Sequence, residues 1–126
     1  MASPNTWRIV AEHFTPDEFE CRCGCGLENM DDEFLLLIFE ARLLADIPFW
    51  ITSGCRCPGH NREVGGLPDS AHIEGLAADI YVLDAAERYK IVTALLQVGL
   101  DRIGIGPDFV HVDADPAKPP GSIWTY

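Results

Sequence analysis

In "GLAADIYVL", residues 75–83, Asp79 interrupts an apolar run of β-forming residues. A carboxylate inside such a run costs several kcal/mol unless it is paired or metal-bound. Any fold open to this chain must therefore bring Asp79 a partner. Two imidazoles stand in comparable settings. His72 lies seven residues earlier, in "SAHIEGLAAD", and His111 sits in the middle of "DFVHVD". His72 precedes the strand, so the chain must bend back to bring it near, and Gly75 permits such a bend. Two imidazoles and one carboxylate, with a fourth position open to water, make a ligand set of the catalytic zinc type. A lone strand histidine is more often a hydrogen-bonded core residue; it is the convergence of three such residues that gives the pattern weight. His13 and His60 lie in polar segments and read as surface or supporting groups.

The remaining sequence narrows the fold class. The chain has 126 residues, suited to a single domain spanning 1–126 with a core of its own. "FTPDEFEC" offers Thr15 as an N-cap and Pro16 at the first helical position, the start of a short helix. From Asp31 or Asp32, "DEFLLLIFEARLLAD" reads as the main buried helix. Pro48 ends helical character, and "FWIT" is a β-rich run leading into the loop "SGCRCPGHN". Asp79 then belongs to a strand with Ala77 and Tyr81 on its own face and Leu76, Ala78, Ile80 and Val82 on the other. A second helix begins at Asp84, where Glu87 completes a capping-box pattern, and closes at Gly99. "RIGIG" and "DFVHVD" are two further short strands. Helices packed on a small, mostly antiparallel sheet give the α+β class.

Charge and hydropathy exclude other classes. Nine basic against 20 acidic residues leave a formal charge of −11, so neither a phosphate-tracking nucleic-acid surface nor an anionic bilayer is an expected partner. No apolar run is long enough to span a membrane. The opening "MASPNTWRIVAEHF" lacks a basic segment followed by an apolar one, so the expectation is a chain without an export signal of its own.

Five cysteines, Cys21, Cys23 and Cys25 in "CRCGCG" and Cys55 and Cys57 in "GCRCPGH", are an odd number that leaves one thiol free in a monomer. Four thiolates drawn from the two clusters can make a structural zinc site. Alternate cysteines on an extended strand point apart, however. The expectation is buried thiols or one disulfide between the clusters, with a structural metal as the second reading.

"SGCRCPGHNREVGG", "SAHIEGLAAD" and "FVHVD" resemble the consecutive signature blocks of the zinc D-alanyl-D-alanine carboxypeptidase family. That family includes phage L-alanyl-D-glutamate endolysins and shares its fold with the hedgehog signalling domain. The resemblance covers roughly residues 13–126. It implies a zinc held by His72, Asp79 and His111, with Arg56 near the metal to bind a substrate carboxylate or stabilise an oxyanion. Ser70 resembles a family serine that contacts substrate or orients the ligand loop; capping a turn is its alternative role.

The general base is open among three acids. Many family members place an acid three residues before the last zinc histidine, where Asp108 stands. Regular strand alternation puts Phe109, His111 and Asp113 on one face and Asp108 on the other, but Asp108 follows Gly106 and Pro107 at what reads as an irregular strand entrance. The expectation is Asp108 as base and Asp113 as the carboxylate steadying His111, with Glu74 as the third candidate. Some relatives use a histidine where this chain has Phe109. Trp124 or Tyr126 is expected to wall the cleft or cover the edge of the core.

The function implied is zinc-assisted hydrolysis of amide bonds in peptidoglycan stem peptides, by a monomer made in the cytoplasm. It would act on the cell wall after release or as part of a phage particle. Two alternatives stand beside it. One is a catalytically silent module of the same fold that keeps its zinc, as Phe109 suggests. In the other, the cysteines alone bind metal and the His/Asp constellation is incidental.

Overall fold

Strand parity organises the molecule, which a computed structural model describes over residues 1–126. The elements run α1 (Pro4–Val10), α2 (Pro16–Phe19), α3 (Asp32–Ala45), β1 (Ile51–Ser53), α4 (Pro58–Glu63), β2 (Ala77–Tyr81), α5 (Ala85–Gln97), β3 (Arg102–Ile105), β4 (Phe109–Asp113) and β5 (Ser122–Thr125). The five strands form one sheet in the order β1-β2-β4-β3-β5, with three antiparallel ladders and a parallel one between β3 and β5. This is the α+β class expected from the sequence.

Register sorts the two faces of the sheet. Ala78 pairs with Val112 and Ile80 with Val110, while Ile103 pairs with Val112. These side chains are fully buried, in one cluster with Phe34, Leu35 and Ile38 of α3 and Ile91 and Leu95 of α5. The opposite parity carries Asp79 against His111, His111 against Gly104, and Gly104 against Trp124. One face makes the core and the other makes the site.

The caps follow the sequence closely. Thr15 and Glu18 form a capping box on α2, and Asp31 accepts from the Phe34 amide at 2.9 Å. Asp84 accepts from Glu87 N at 2.9 Å, but the Glu87 carboxylate reaches back to Leu83 N, one residue before the expected partner. Gly75 has φ +70°, and a Cβ there would collide with the Asn29 carbonyl. The bend that returns His72 to the strand therefore requires glycine.

Three elements are additions to the sequence reading. Helix α1 is capped by Ser3, with Pro4 at its first position, the same signature as Thr15–Pro16. Helix α4 begins at Pro58 inside the expected loop, with the Cys57 sulfur accepting from His60 N. Strand β5 carries Trp124. No helix is long and apolar enough to cross a membrane.

Candidate metal centre

Asp79 and His111 are direct cross-strand partners on β2 and β4. Their side chains meet with His111 Nδ1 2.8 Å from Asp79 Oδ1. The loop that turns at Gly75 sets His72 beside them, with His72 Nε2 3.3 Å from the same oxygen and the two imidazole rings 5.2 Å apart. One ligand atom from each residue lies within 4.8 Å of the others.

The ring nitrogens are committed in a way that suits a cation. His72 Nδ1 donates to the Gly54 carbonyl at 2.7 Å, which leaves Nε2 as the lone-pair atom. That Nε2 is buried and has no hydrogen-bond partner. His111 Nε2 donates to Asp113 Oδ2 at 2.8 Å, which directs Nδ1 at Asp79. With Nε2 protonated, Nδ1 and the Asp79 carboxylate are two acceptors facing each other. Such a contact persists only if a proton or a cation lies between them. A divalent metal fits this donor set, with His72 and His111 orientated by groups on their far nitrogens as metal-ligating histidines characteristically are.

Electrostatics agree with the geometry. Burial opposes the charge on Asp79, but the His111 hydrogen bond and the adjacent His72 outweigh it and hold the carboxyl well below its usual range. Burial likewise disfavours the His111 imidazolium, yet Asp113 and Asp79 together raise its pKa. Asp113 is pulled down, against burial, by His111 and by Arg102 Nε at 2.7 Å.

The trio opens onto a cavity of about 590 Å³. Arg56 lines it, anchored by Nε on Ser53 Oγ at 3.3 Å and Nη1 on Asn61 Oδ1 at 3.2 Å, with Nη2 3.5 Å from Asp79 Oδ2. Ser70 also lines the cavity, and its Oγ accepts from the His72 amide at 3.3 Å, so here it orders the ligand loop. Trp124 forms a wall 5.7 Å from the His111 ring, with the Arg102 guanidinium stacked over it at 5.0 Å. Gly104 makes room for this wall, since a Cβ there would fall 2.8 Å from both Trp124 and Tyr126.

Two acids move from their expected places. Asp108 does not line the cavity. It is exposed, immediately before β4, with its carbonyl in the ladder to Val82 N. Regular pairing extends to Phe109, so alternation holds to the strand entrance and turns Phe109 rather than Asp108 toward the site. Glu74 is exposed and also outside the cavity. His13 packs against Phe39 and His60 approaches Glu63, both away from the trio.

The cavity also holds residues that the sequence did not single out: Arg102, Lys118 and Asp69. Arg102 shares strand parity with Gly104 and pairs with Asp113, but only the register reveals this. Asp69 makes no hydrogen bond or ion pair through its carboxylate, while its carbonyl accepts from Lys118 Nζ at 2.7 Å.

Of the two expected states of the cysteines, buried thiols hold for Cys21 and Cys55, while Cys23 and Cys25 are exposed. None is disulfide-bonded. Cys21, Cys23, Cys25 and Cys57 gather within 4.8 Å of one another, whereas Cys55 is buried apart from them and accepts from Asn29 N at 3.2 Å.

A sequence profile described as Peptidase M15 matches residues 12–113, a span that contains Arg56, His72, Asp79 and His111. No match was found among curated proteins.

Proposed function

Since the chain belongs to the peptidase M15 family of zinc enzymes, we propose that it hydrolyses amide bonds in peptidoglycan stem peptides. The bond is either that of a D-Ala-D-Ala carboxypeptidase or that of an L-Ala-D-Glu type endopeptidase. The observation that carries this reading is the convergence of His72 Nε2, Asp79 and His111 Nδ1 at the floor of a cavity whose wall bears Arg56, Arg102 and Lys118. Arg56, Arg102 and Lys118 are each paired with a carboxylate, Asp79, Asp113 and Asp115, so the charges lining the cavity balance, and a bound divalent metal would supply the positive charge that draws a substrate carboxylate.

His72, Asp79 and His111 would hold the zinc, which when bound supplies a Lewis acid for the scissile carbonyl and a more acidic water. Asp113 keeps the His111 Nε2 proton in place and so fixes the tautomer that leaves Nδ1 free. Arg56, braced on Ser53 and Asn61, offers Nη2 to charge developing on the carbonyl oxygen or to a substrate carboxylate. Two cavity carboxylates remain to accept a proton. Asp113 is bonded by His111, Arg102 and Asp115 N, so its oxygens are occupied. Asp69 is exposed like Asp108 but lines the cavity with an uncommitted carboxylate, and on that ground it is the acid proposed as base in place of Asp108. Phe109, Trp124 and Tyr126 form the apolar wall that limits water.

The substrate places this activity at the cell wall, reached after release from the cytoplasm or on a phage particle, with the chain acting as a monomer. Phe109, which stands where some relatives have a histidine, favours one second reading, a silent module that keeps its zinc. Incubating the zinc-loaded protein with defined muropeptides, with products read by mass spectrometry, separates the two. Cleavage that disappears in His72→Ala supports the enzyme; an intact zinc centre with no product from any muropeptide overturns it.

A further inference from the structure

The four gathered cysteines have no part in hydrolysis, and their arrangement is unusual for free thiols. Cys23 and Cys25 are exposed, Cys57 is half-buried and Cys21 is buried, so packing of the thiols against the core does not explain the convergence. The spacing that argued against it, alternate residues pointing apart, applies to a strand. Residues 21–25 are instead a turn, with Gly24 at φ +86° and Gly26 at φ +82°. Neither glycine is crowded, since a Cβ at either meets nothing within 4 Å. They are required for the backbone conformation, which curls three sulfurs toward one point.

The sulfur separations match a definite chemistry. Cys21 Sγ lies 3.5 Å from Cys23 Sγ, and Cys23 Sγ lies 3.7 Å from Cys57 Sγ. A tetrahedral zinc with four sulfurs at about 2.3 Å has sulfur–sulfur edges of about 3.8 Å. Backbone amides already point at two of the sulfurs, Cys57 N at Cys21 Sγ (3.4 Å) and His60 N at Cys57 Sγ (3.3 Å). Amide donors to sulfur stabilise a thiolate over a thiol.

We propose that Cys21, Cys23, Cys25 and Cys57 bind a structural zinc ion, separate from the centre at His72, Asp79 and His111. Four soft thiolates in a closed tetrahedral set select zinc and leave no position open for substrate. Binding converts four thiols to thiolates and releases their protons to solvent. The ion cross-links the turn between α2 and α3 to Cys57 at the start of α4, joining Cys23 to a residue 34 positions further along the chain. Its consequence for the catalytic side is positional. Cys57 follows Arg56, whose amide donates to the His72 carbonyl at 3.1 Å. The zinc therefore anchors the segment carrying Arg56 and supports the loop bearing His72. Cys55 points elsewhere and is not a ligand.

Zinc content and X-ray absorption of the purified full chain test this independently of turnover. The wild type should carry two zinc ions per chain, with a sulfur shell at about 2.3 Å alongside a nitrogen and oxygen shell. The pair Cys23→Ser and Cys25→Ser should lose one ion and the sulfur shell, whereas His72→Ala with His111→Ala should lose the other ion and keep the sulfur shell. Should the serine variant fail to fold, alkylation of the wild type decides. Cys23 and Cys25 should resist iodoacetamide as purified with zinc and react promptly after chelation. Prompt alkylation before chelation, disulfides among these cysteines, or a spectrum without zinc–sulfur scattering would each overturn the proposal.

Discussion

His111 and Asp113 are two residues apart on β4, and their side chains share one face, with His111 Nε2 donating to Asp113 Oδ2 at 2.8 Å. Both are buried, and Arg102 closes the far side of Asp113. This short relay determines which nitrogen of His111 faces Asp79, and so whether the trio offers a metal three lone pairs or two.

Asp113→Asn should weaken zinc binding at this centre by about 10–100-fold, the usual effect of removing a group that orients a ligand. Competition with a chromophoric chelator measures it. The zinc proposed at the cysteines should be unaffected, so a parallel loss at both sites would indicate general unfolding.

Arg56→Lys separates two roles. Lysine cannot reproduce the bonds to Ser53 and Asn61 while also presenting a charge beside Asp79. Because Arg56 Nη2 lies 3.5 Å from a ligand oxygen, the expected loss is in kcat, on the order of 10²–10³, with KM held. A rise in KM alone would assign Arg56 to a ground-state substrate carboxylate.

Asp69→Asn should lower kcat by about 10²–10⁴-fold with zinc retained, the size of a general-base contribution. Asp108→Asn should leave turnover within about twofold, since Asp108 is exposed outside the cavity. The opposite ranking would return the base to Asp108.

Stability should depend on pH in opposite ways with and without metal. In the metal-free protein the His111 pKa is raised, because Asp113 and Asp79 outweigh burial. A raised folded-state value contributes stability that is present below the unfolded value of about 6.5 and is lost as pH rises through the folded value. Zinc must displace that proton, so its stabilisation grows with pH. Thermal melts of chelator-stripped protein should show Tm falling across that window relative to stripped His111→Gln, and the zinc-saturated protein should not show the fall. Identical profiles for stripped wild type and His111→Gln would contradict this.

Much of this was legible in the sequence because it depends on local parity. Asp79 in an apolar strand and His111 in "FVHVD" announce buried polar groups whatever the topology, and Thr15, Asp31 and Asp84 announce their helices. Pairing across the sheet was not legible. Arg102 becomes a partner of Asp113 only once β3 lies in register beside β4, and Asp69 and Lys118 meet at the cavity only through loop closure. The position of Asp108 outside the cavity was not legible, because Gly106 and Pro107 suggest an irregular strand entrance whereas the ladder is regular from Phe109. The gathering of Cys21, Cys23, Cys25 and Cys57 was not legible either, because it depends on "CRCGCG" turning at Gly24 and Gly26 rather than running extended.

Anomalous scattering at the zinc edge from crystals of the zinc-loaded protein addresses the central claim most directly. A peak bounded by His72 Nε2, Asp79 and His111 Nδ1 is the result expected. Anomalous density at the cysteines alone, with no metal among His72, Asp79 and His111, would contradict it.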